Sequence, residues 1–489
     1  MIRQFLTDSA KYFVGAAVTA LGYLVSIPIL SRWLSQQEFG EYLIATATVG
    51  LLSTVSVGWI TPSVLRFQPH YAVENNQEPF NTTTIKLAVW GIAATCGLLV
   101  VTQPVWPAWL PRGTGMLLAG ILAAESLILL MTAFLRATRA LNWYLGLGLW
   151  LAVGRLALGL LFTMVLGATA VAILAGWLLT QLVTLAMFVV CAAPVPYRRV
   201  VTDRVTPHIA REIMRYGVPA VGMVLLVMVL SIADRYVLLA FRGPEEVALY
   251  AAAYDFTERS LSQLVTIMAL AGGPLLFQTW EVHGETKTRL LLTDLTSLYL
   301  IVGMPATIGL CVLSTLIVNL LLPDGYALAA RVVAPVAVGA FLWGLLHNYS
   351  YALGVRKRSD IQMFCFVPAA GLNLVLNLLF VPTHGYMAAA WTTLASYAVA
   401  LMSVIVVSRR FLRWRFPSET MLKVMAASAV MAAVVYLLAF RTGAETLGAL
   451  AVAVIGGVLT YGVVLVLLQG VPSRITASLA ERSFVKGLD

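Results

Sequence analysis

The 489-residue chain is 60% hydrophobic and only 11% charged, with a mean hydropathy of +0.89 and a formal net charge of +10. A soluble domain cannot bury that much apolar surface, whereas a polytopic membrane bundle requires it. The cations occur in short bands beside apolar stretches, without an aromatic–basic module, so the charge predicts no nucleic-acid partner.

A membrane-spanning helix needs about 20 predominantly apolar residues. Fourteen stretches meet that condition, at about 12–31, 42–63, 85–106, 115–135, 143–166, 169–192, 217–241, 250–277, 292–317, 327–350, 360–381, 386–408, 421–440 and 446–468. No small-residue cleavage site follows the first, which reads as a retained helix and not a signal peptide. The run from Trp143 to Ala192 is too long for one helix and predicts a turn near Gly167. Pro28, Pro219, Pro274, Pro305, Pro335 and Pro368 fall within or near spans, as fixed kinks or moving hinges. No connection exceeds about 25 residues and there is no Walker A sequence, so the chain has no ATPase domain of its own.

Of the 32 Lys and Arg residues, five (Arg32, Arg112, Arg242, Arg331 and Arg441) fall on one side of this arrangement. Three, Arg155, Arg235 and Arg259, fall inside apolar spans, and the remaining 24 occupy the termini and the alternate connections. Prominent in that basic set are Arg136 and Arg139, Arg198 to Arg215, Arg356 to Arg358, and Arg409 to Lys423. The positive-inside rule assigns the basic side, and both termini, to the cytoplasm. The same cations anchor helix ends at anionic headgroups.

A weak internal repeat runs through the chain. The exit of the first span reads Glu38, three residues, then Tyr42, and six spans later Glu246 precedes Tyr250 by the same interval. Two six-helix bundles, 1–200 and 201–416, plus two further helices and a tail in 417–489, account for this spacing. The expected fold is therefore all-α and polytopic.

Seven ionisable residues fall within spans: Glu125, Arg155, Asp234, Arg235, Asp255, Glu258 and Arg259. Charges in the membrane are expensive, so they face protein or a water-filled cavity and find partners. Asp255, Glu258 and Arg259 share one helical face by their spacing. If the seventh and eighth spans are neighbours, these three and Asp234–Arg235 form one network. Glu125 and Arg155 sit at similar depth in the fourth and fifth spans. Two readings stand for each group: a structural ion pair, or an arginine that holds anionic cargo beside a carboxylate that binds a proton or sodium ion. Asn142, Asn348, Tyr349, Asn373 and Asn377 supply interhelical hydrogen bonds or cargo contacts.

The cysteines, Cys96, Cys191, Cys311 and Cys365, are scattered and read as apolar packing. No paired carboxylate or His/Cys cluster emerges, and the dispersed histidines, among them His70, His208 and His283, read as surface or interfacial. The chain is predicted to need no metal, no cofactor and no covalent catalysis.

Gly22, Pro28, Arg32, Leu34, Glu38-Phe39-Gly40 and Tyr42, followed by Arg66, with Asp234-Arg235 and Tyr250 as the second-half counterpart, carry a family likeness. On these residues and the 14-span plan the chain resembles bacterial polysaccharide-biosynthesis flippases of the Wzx type. Their superfamily includes multidrug and toxic-compound extrusion transporters and the lipid II flippase. The resemblance implies a V-shaped central cavity between two bundles and a bacterial inner-membrane location. It also implies transfer of a polyprenyl-diphosphate-linked oligosaccharide from the cytoplasmic to the periplasmic leaflet, commonly driven by cations. Membrane lipids, and a polysaccharide polymerase, would be its partners. Carried onto this sequence, it makes Arg66, Arg155, Arg235 and Arg259 the candidate substrate contacts. Glu125, Asp234, Asp255 and Glu258 become the candidate cation-coupling or charge-network residues. A lipid II flippase, a cation-coupled drug or metabolite antiporter, and a non-transporting scaffold of a glycan-synthesis complex are the alternatives.

Overall fold

The computed structural model describes residues 22–103, 114–190, 204–442 and 446–472, excluding the side chains of residues 141, 270, 271, 359 and 440–442. The expected residues 12–21 of the first span, Cys191, Arg112, Arg198 and Arg199, and the Arg441 side chain, lie outside the described set. Among the described residues all regular structure is helical. Residues 22–33 form α1. It is followed by α2 (Gln36–Val57), α3 (Thr61–Val73), α4 (Gln77–Thr102), α5 (Thr114–Ala137), α6 (Leu141–Leu166), α7 (Ala170–Val190) and α8 (Pro207–Arg242). Then come α9 (Pro244–Leu321), a short 3₁₀ turn (Asp324–Ala329), α10 (Ala330–Val355), α11 (Ser359–Ser408), α12 (Ser418–Thr442) and α13 (Leu447–Leu467).

Eleven described helical segments are long and apolar enough to cross a membrane, where the sequence suggested fourteen stretches. One of the three missing is the expected first span, whose residues 12–21 lie outside the described set, and the other two have a physical origin. Two connections that look like loops in sequence are helical up to a single glycine, so α9 covers the expected eighth and ninth spans, and α11 the eleventh and twelfth. The breaks fall at Gly284 (φ 72°, ψ −167°) and Gly385 (φ 60°, ψ −145°). Only a residue without a Cβ adopts that backbone cheaply. The turn expected near Gly167 is present, with α6 ending on that residue.

Local signals explain several starts. Ser35 caps α2 by accepting from the Glu38 backbone N–H at 3.2 Å, and Thr446 caps α13 by accepting from Ala449 at the same distance. Pro207 opens α8, where its missing N–H costs nothing.

By packing, the chain divides into two compact units, Met1–Ala248 and Leu249–Asp489. In the first, α5 is central and packs on α2, α3, α4 and α7, burying Ile121, Leu122, Ala124, Ser126 and Ile128. Helix association inside a bilayer depends on close packing and hydrogen bonds more than on hydrophobic transfer. The start of α8 belongs to this unit: Ile209, Ala210 and Ile213 join the buried cluster of Val57, Val64, Phe80 and Phe134. Ser63 donates to the Ile213 carbonyl at 3.1 Å and Tyr71 to the Glu212 carboxylate at 2.8 Å. Packing therefore divides the chain later than the 200/201 boundary that the sequence repeat suggests.

In the second unit α10 lies along α11, and α12 pairs with α13. The last two helices dock on the later part of α9, through Leu313, Ile317, Met431, Val435 and Ala453. Tyr461 in α13 also donates to the Ile301 carbonyl at 2.6 Å.

Candidate functional site

The hairpin between α1 and α2 explains its own motif. Glu38 accepts from the backbone N–H of Ala170 at 2.5 Å, placing a carboxylate at the positive N-terminal end of α7. Phe39 is fully buried. Gly40 lies against the chain at Pro244, whose carbonyl oxygen would be 1.9 Å from an added Cβ, so no larger residue fits without movement. Tyr42 then points its hydroxyl at Arg155.

Arg155 sits midway along α6. One terminal nitrogen donates to the Tyr42 hydroxyl at 3.1 Å. The guanidinium stacks 3.7 Å from the centre of the Trp177 ring and 5.8 Å from that of Tyr42. Both rings are buried, and desolvation strengthens such cation–π contacts. The Arg155 Nε is buried and has no hydrogen-bond partner among the described residues. Glu125, midway along α5 and electrostatically coupled to Arg155, accepts from the Gln181 amide at 2.5 Å. Four helices of one unit thus converge on a cation, a carboxylate, an amide and two aromatic rings.

The sequence reading placed Glu125 and Arg155 at one depth but overlooked Trp177 and Gln181. A signal was available. Trp177, Thr180, Gln181 and Thr184 recur at intervals of three and four in α7, and all four are buried. They form a polar stripe on one face of an otherwise apolar helix.

The other predicted residues do not all gather here. Arg66 is exposed in α3, and its guanidinium lies 4.5 Å from the Tyr216 ring centre and 5.4 Å from that of Phe67. Asp234 and Arg235 are buried near the end of α8, where the Asp234 carboxylate accepts from the Arg235 backbone N–H at 2.8 Å. Asp255, buried, and Glu258 and Arg259, half-buried, belong to the second unit, along the first part of α9.

The second unit has a polar cluster of another kind. Asn377 donates to Asn373 at 3.0 Å and accepts from Thr392 at 2.7 Å, with both asparagines fully buried. Nearby in sequence, Tyr397 meets the Tyr254 hydroxyl at 3.3 Å and packs on Trp343. Tyr349 packs at a tilt against Trp414, with ring centres 4.8 Å apart.

Long apolar helices with charges held among them define a multi-pass membrane protein. Its fold is shared with the lipid II flippase MurJ in an inward closed conformation, at a TM-score of 0.71 and 15% identity, covering 98% of this chain and 100% of that one. An inward-facing multidrug resistance MATE family transporter of the MOP superfamily is similar at a TM-score of 0.64 and 14% identity, covering 80% and 94%. A Vibrio cholerae MATE transporter is similar at 0.60 and 13%, covering 83% and 96%. No curated protein sequence matched. The chain belongs to the polysaccharide biosynthesis protein family, whose profile matches residues 5–280. The family description ties the chain to polysaccharide biosynthesis, and the solved structures show its fold.

Proposed function

We propose that the protein carries a polyprenyl-diphosphate-linked oligosaccharide from the cytoplasmic to the periplasmic leaflet of a bacterial inner membrane, by cation-coupled alternating access. The observation that carries this reading is Arg155. Its charge is steadied by aromatic faces and a hydroxyl, while its buried Nε makes no hydrogen bond among the described residues. A guanidinium held this way suits a phosphate oxygen, which accepts strong charge-assisted bonds. Arg66, Arg235 and Arg259 are further proposed contacts along the path. Glu125, Asp234, Asp255 and Glu258 are the proposed groups that bind a proton or sodium ion or complete the charge network. A charged glycan headgroup needs a shielded route through hydrocarbon, while its lipid tail can stay in the bilayer. The two repeats, 1–200 and 201–416, would supply the moving halves.

The test is reconstitution with a defined lipid-linked oligosaccharide, following leaflet transfer with and without proton or sodium gradients. Transfer accelerated by a gradient supports the reading. Failure to move several such glycolipids, together with export of an organic cation, would replace it with an antiporter.

A further inference from the structure

Four described helices end on a turn of one kind, through Asn75, Arg139, Lys357 or Gln469, and the two that carry a basic residue lie 218 positions apart. At the end of α5 the backbone turns through Arg139 (φ 56°), and at the end of α10 through Lys357 (φ 57°). Both positions adopt the left-handed conformation, and both turns close with the same bonds. Ala140 N–H donates to Leu135 and Arg139 N–H to Arg136 in the first; Arg358 N–H donates to Leu353 and Lys357 N–H to Gly354 in the second. These are Schellman caps, and each puts a basic residue where glycine is usual.

After each turn the next helix lines an apolar pocket with the helix that follows it. The first, about 310 Å³, lies between α6 and α7, the second, about 490 Å³, between the two parts of α11. The near wall of the first pocket is Asn142 with positions 143, 146, 147 and 150, and that of the second is 361, 364, 365 and 368, so apart from Asn142 the two walls share one register after the basic residue. Both volumes fall in the range of ligand sites, about 300–1,000 Å³. The cations beside them are available. Arg136, Arg139 and Lys357 are exposed and make no ion pair among the described residues, whereas Arg358 is engaged with Asp360 at 3.1 Å and Arg356 with Glu285 at 2.9 Å. Arg409 and Arg410 follow directly on the second pocket's far wall at Val406 and Val407.

We infer that each unit binds one anionic phospholipid of the surrounding leaflet, with its phosphate at the turn of Arg139 or Lys357 and an acyl chain in the adjoining pocket. An apolar slot beside unpaired cations is complementary to an anionic headgroup on a hydrocarbon tail, and basic clusters at the membrane surface attract such lipids. Recurrence of a basic turn followed by an apolar pocket at one register argues for a common use in the two units, independent of the transported cargo.

Native mass spectrometry of the full-length protein in detergent, titrated with phosphatidylglycerol or phosphatidylcholine, tests this. Two tightly held phosphatidylglycerols are expected, with phosphatidylcholine at least about tenfold weaker. Arg139→Gln and Lys357→Gln each remove one, and Arg139→Lys and Lys357→Arg restore it. Gly146→Leu fills the first site with Arg139 intact, starting from a Cβ that meets nothing within 4 Å. The lipid-free melting temperature of each variant checks folding. Equal binding of phosphatidylcholine, or unchanged phosphatidylglycerol stoichiometry in variants that melt normally, overturns the inference. So does displacement of both lipids by a short polyprenyl diphosphate, which would make the pockets cargo sites.

Discussion

The middle of the fifth span and the middle of the eleventh stand in the same register and are built differently. At position 155 the first unit holds an arginine against Trp177 and Tyr42, with Glu125 and Gln181 beside it. At position 373, 218 places on, the second unit holds an asparagine bonded to Asn377, which in turn accepts from Thr392. The first arrangement concentrates charge in the membrane, and each leaves one buried nitrogen without a hydrogen-bond partner among the described residues, the Arg155 Nε and the Asn373 Nδ2. The second is neutral, and its Asn377 joins the two parts of α11 by accepting from Thr392. Charge in hydrocarbon is costly and is retained for use, whereas a neutral network at this depth is ordinary interhelical adhesion.

This contrast predicts unequal outcomes. Arg155→Ala should reduce transport per folded molecule by about 30-fold or more, since removing one side of a buried charge-assisted contact costs about 2–5 kcal/mol. Arg155→Lys keeps the charge but loses the planar fork, and should recover only part of the rate. Asn377→Leu should do the reverse, lowering the melting temperature through about 1–2 kcal/mol of lost interhelical bonding while leaving transport per folded molecule near wild type. Equal transport defects in the two would erase the distinction.

The hinge of α11 offers a comparison within a single helix. Gly385→Ala forces a Cβ into a glycine-only backbone and should destabilise by about 1–3 kcal/mol. Gly371→Ala, where a Cβ meets nothing within 4 Å, should stabilise by about 0.5–1 kcal/mol. Opposite shifts in thermal unfolding are the expected result. Tyr42→Phe removes one hydrogen bond to Arg155 but keeps the ring. Transport should fall by no more than about tenfold, from about 1.5 kcal/mol.

Much of this was legible in the chain. Apolar stretches of spanning length and the turn at Gly167 follow from hydropathy and one glycine. The shared face of Asn373 and Asn377 follows from their spacing of four. Other features were hidden for physical reasons. The 278–291 connection contains Glu281, His283, Glu285 and Lys287 and reads as a loop, yet polar residues are good helix formers at a membrane surface, and only Gly284 interrupts it. Trp177 and Gln181 were masked by the high mean hydropathy of α7, which says nothing about which face a residue occupies. That α8 packs with the helices before it depends on long-range contacts such as Tyr71–Glu212, which no local pattern reveals.

The most direct test of the central claim is leaflet transfer of a polyprenyl-diphosphate-linked oligosaccharide in proteoliposomes containing equal amounts of folded wild-type, Arg155→Ala or Asn377→Leu protein. The account predicts rapid transfer by the wild type and Asn377→Leu proteins, and transfer near the protein-free background for Arg155→Ala. Wild-type transfer by Arg155→Ala would show that the arginine is a structural partner of Glu125 and not a contact for the cargo.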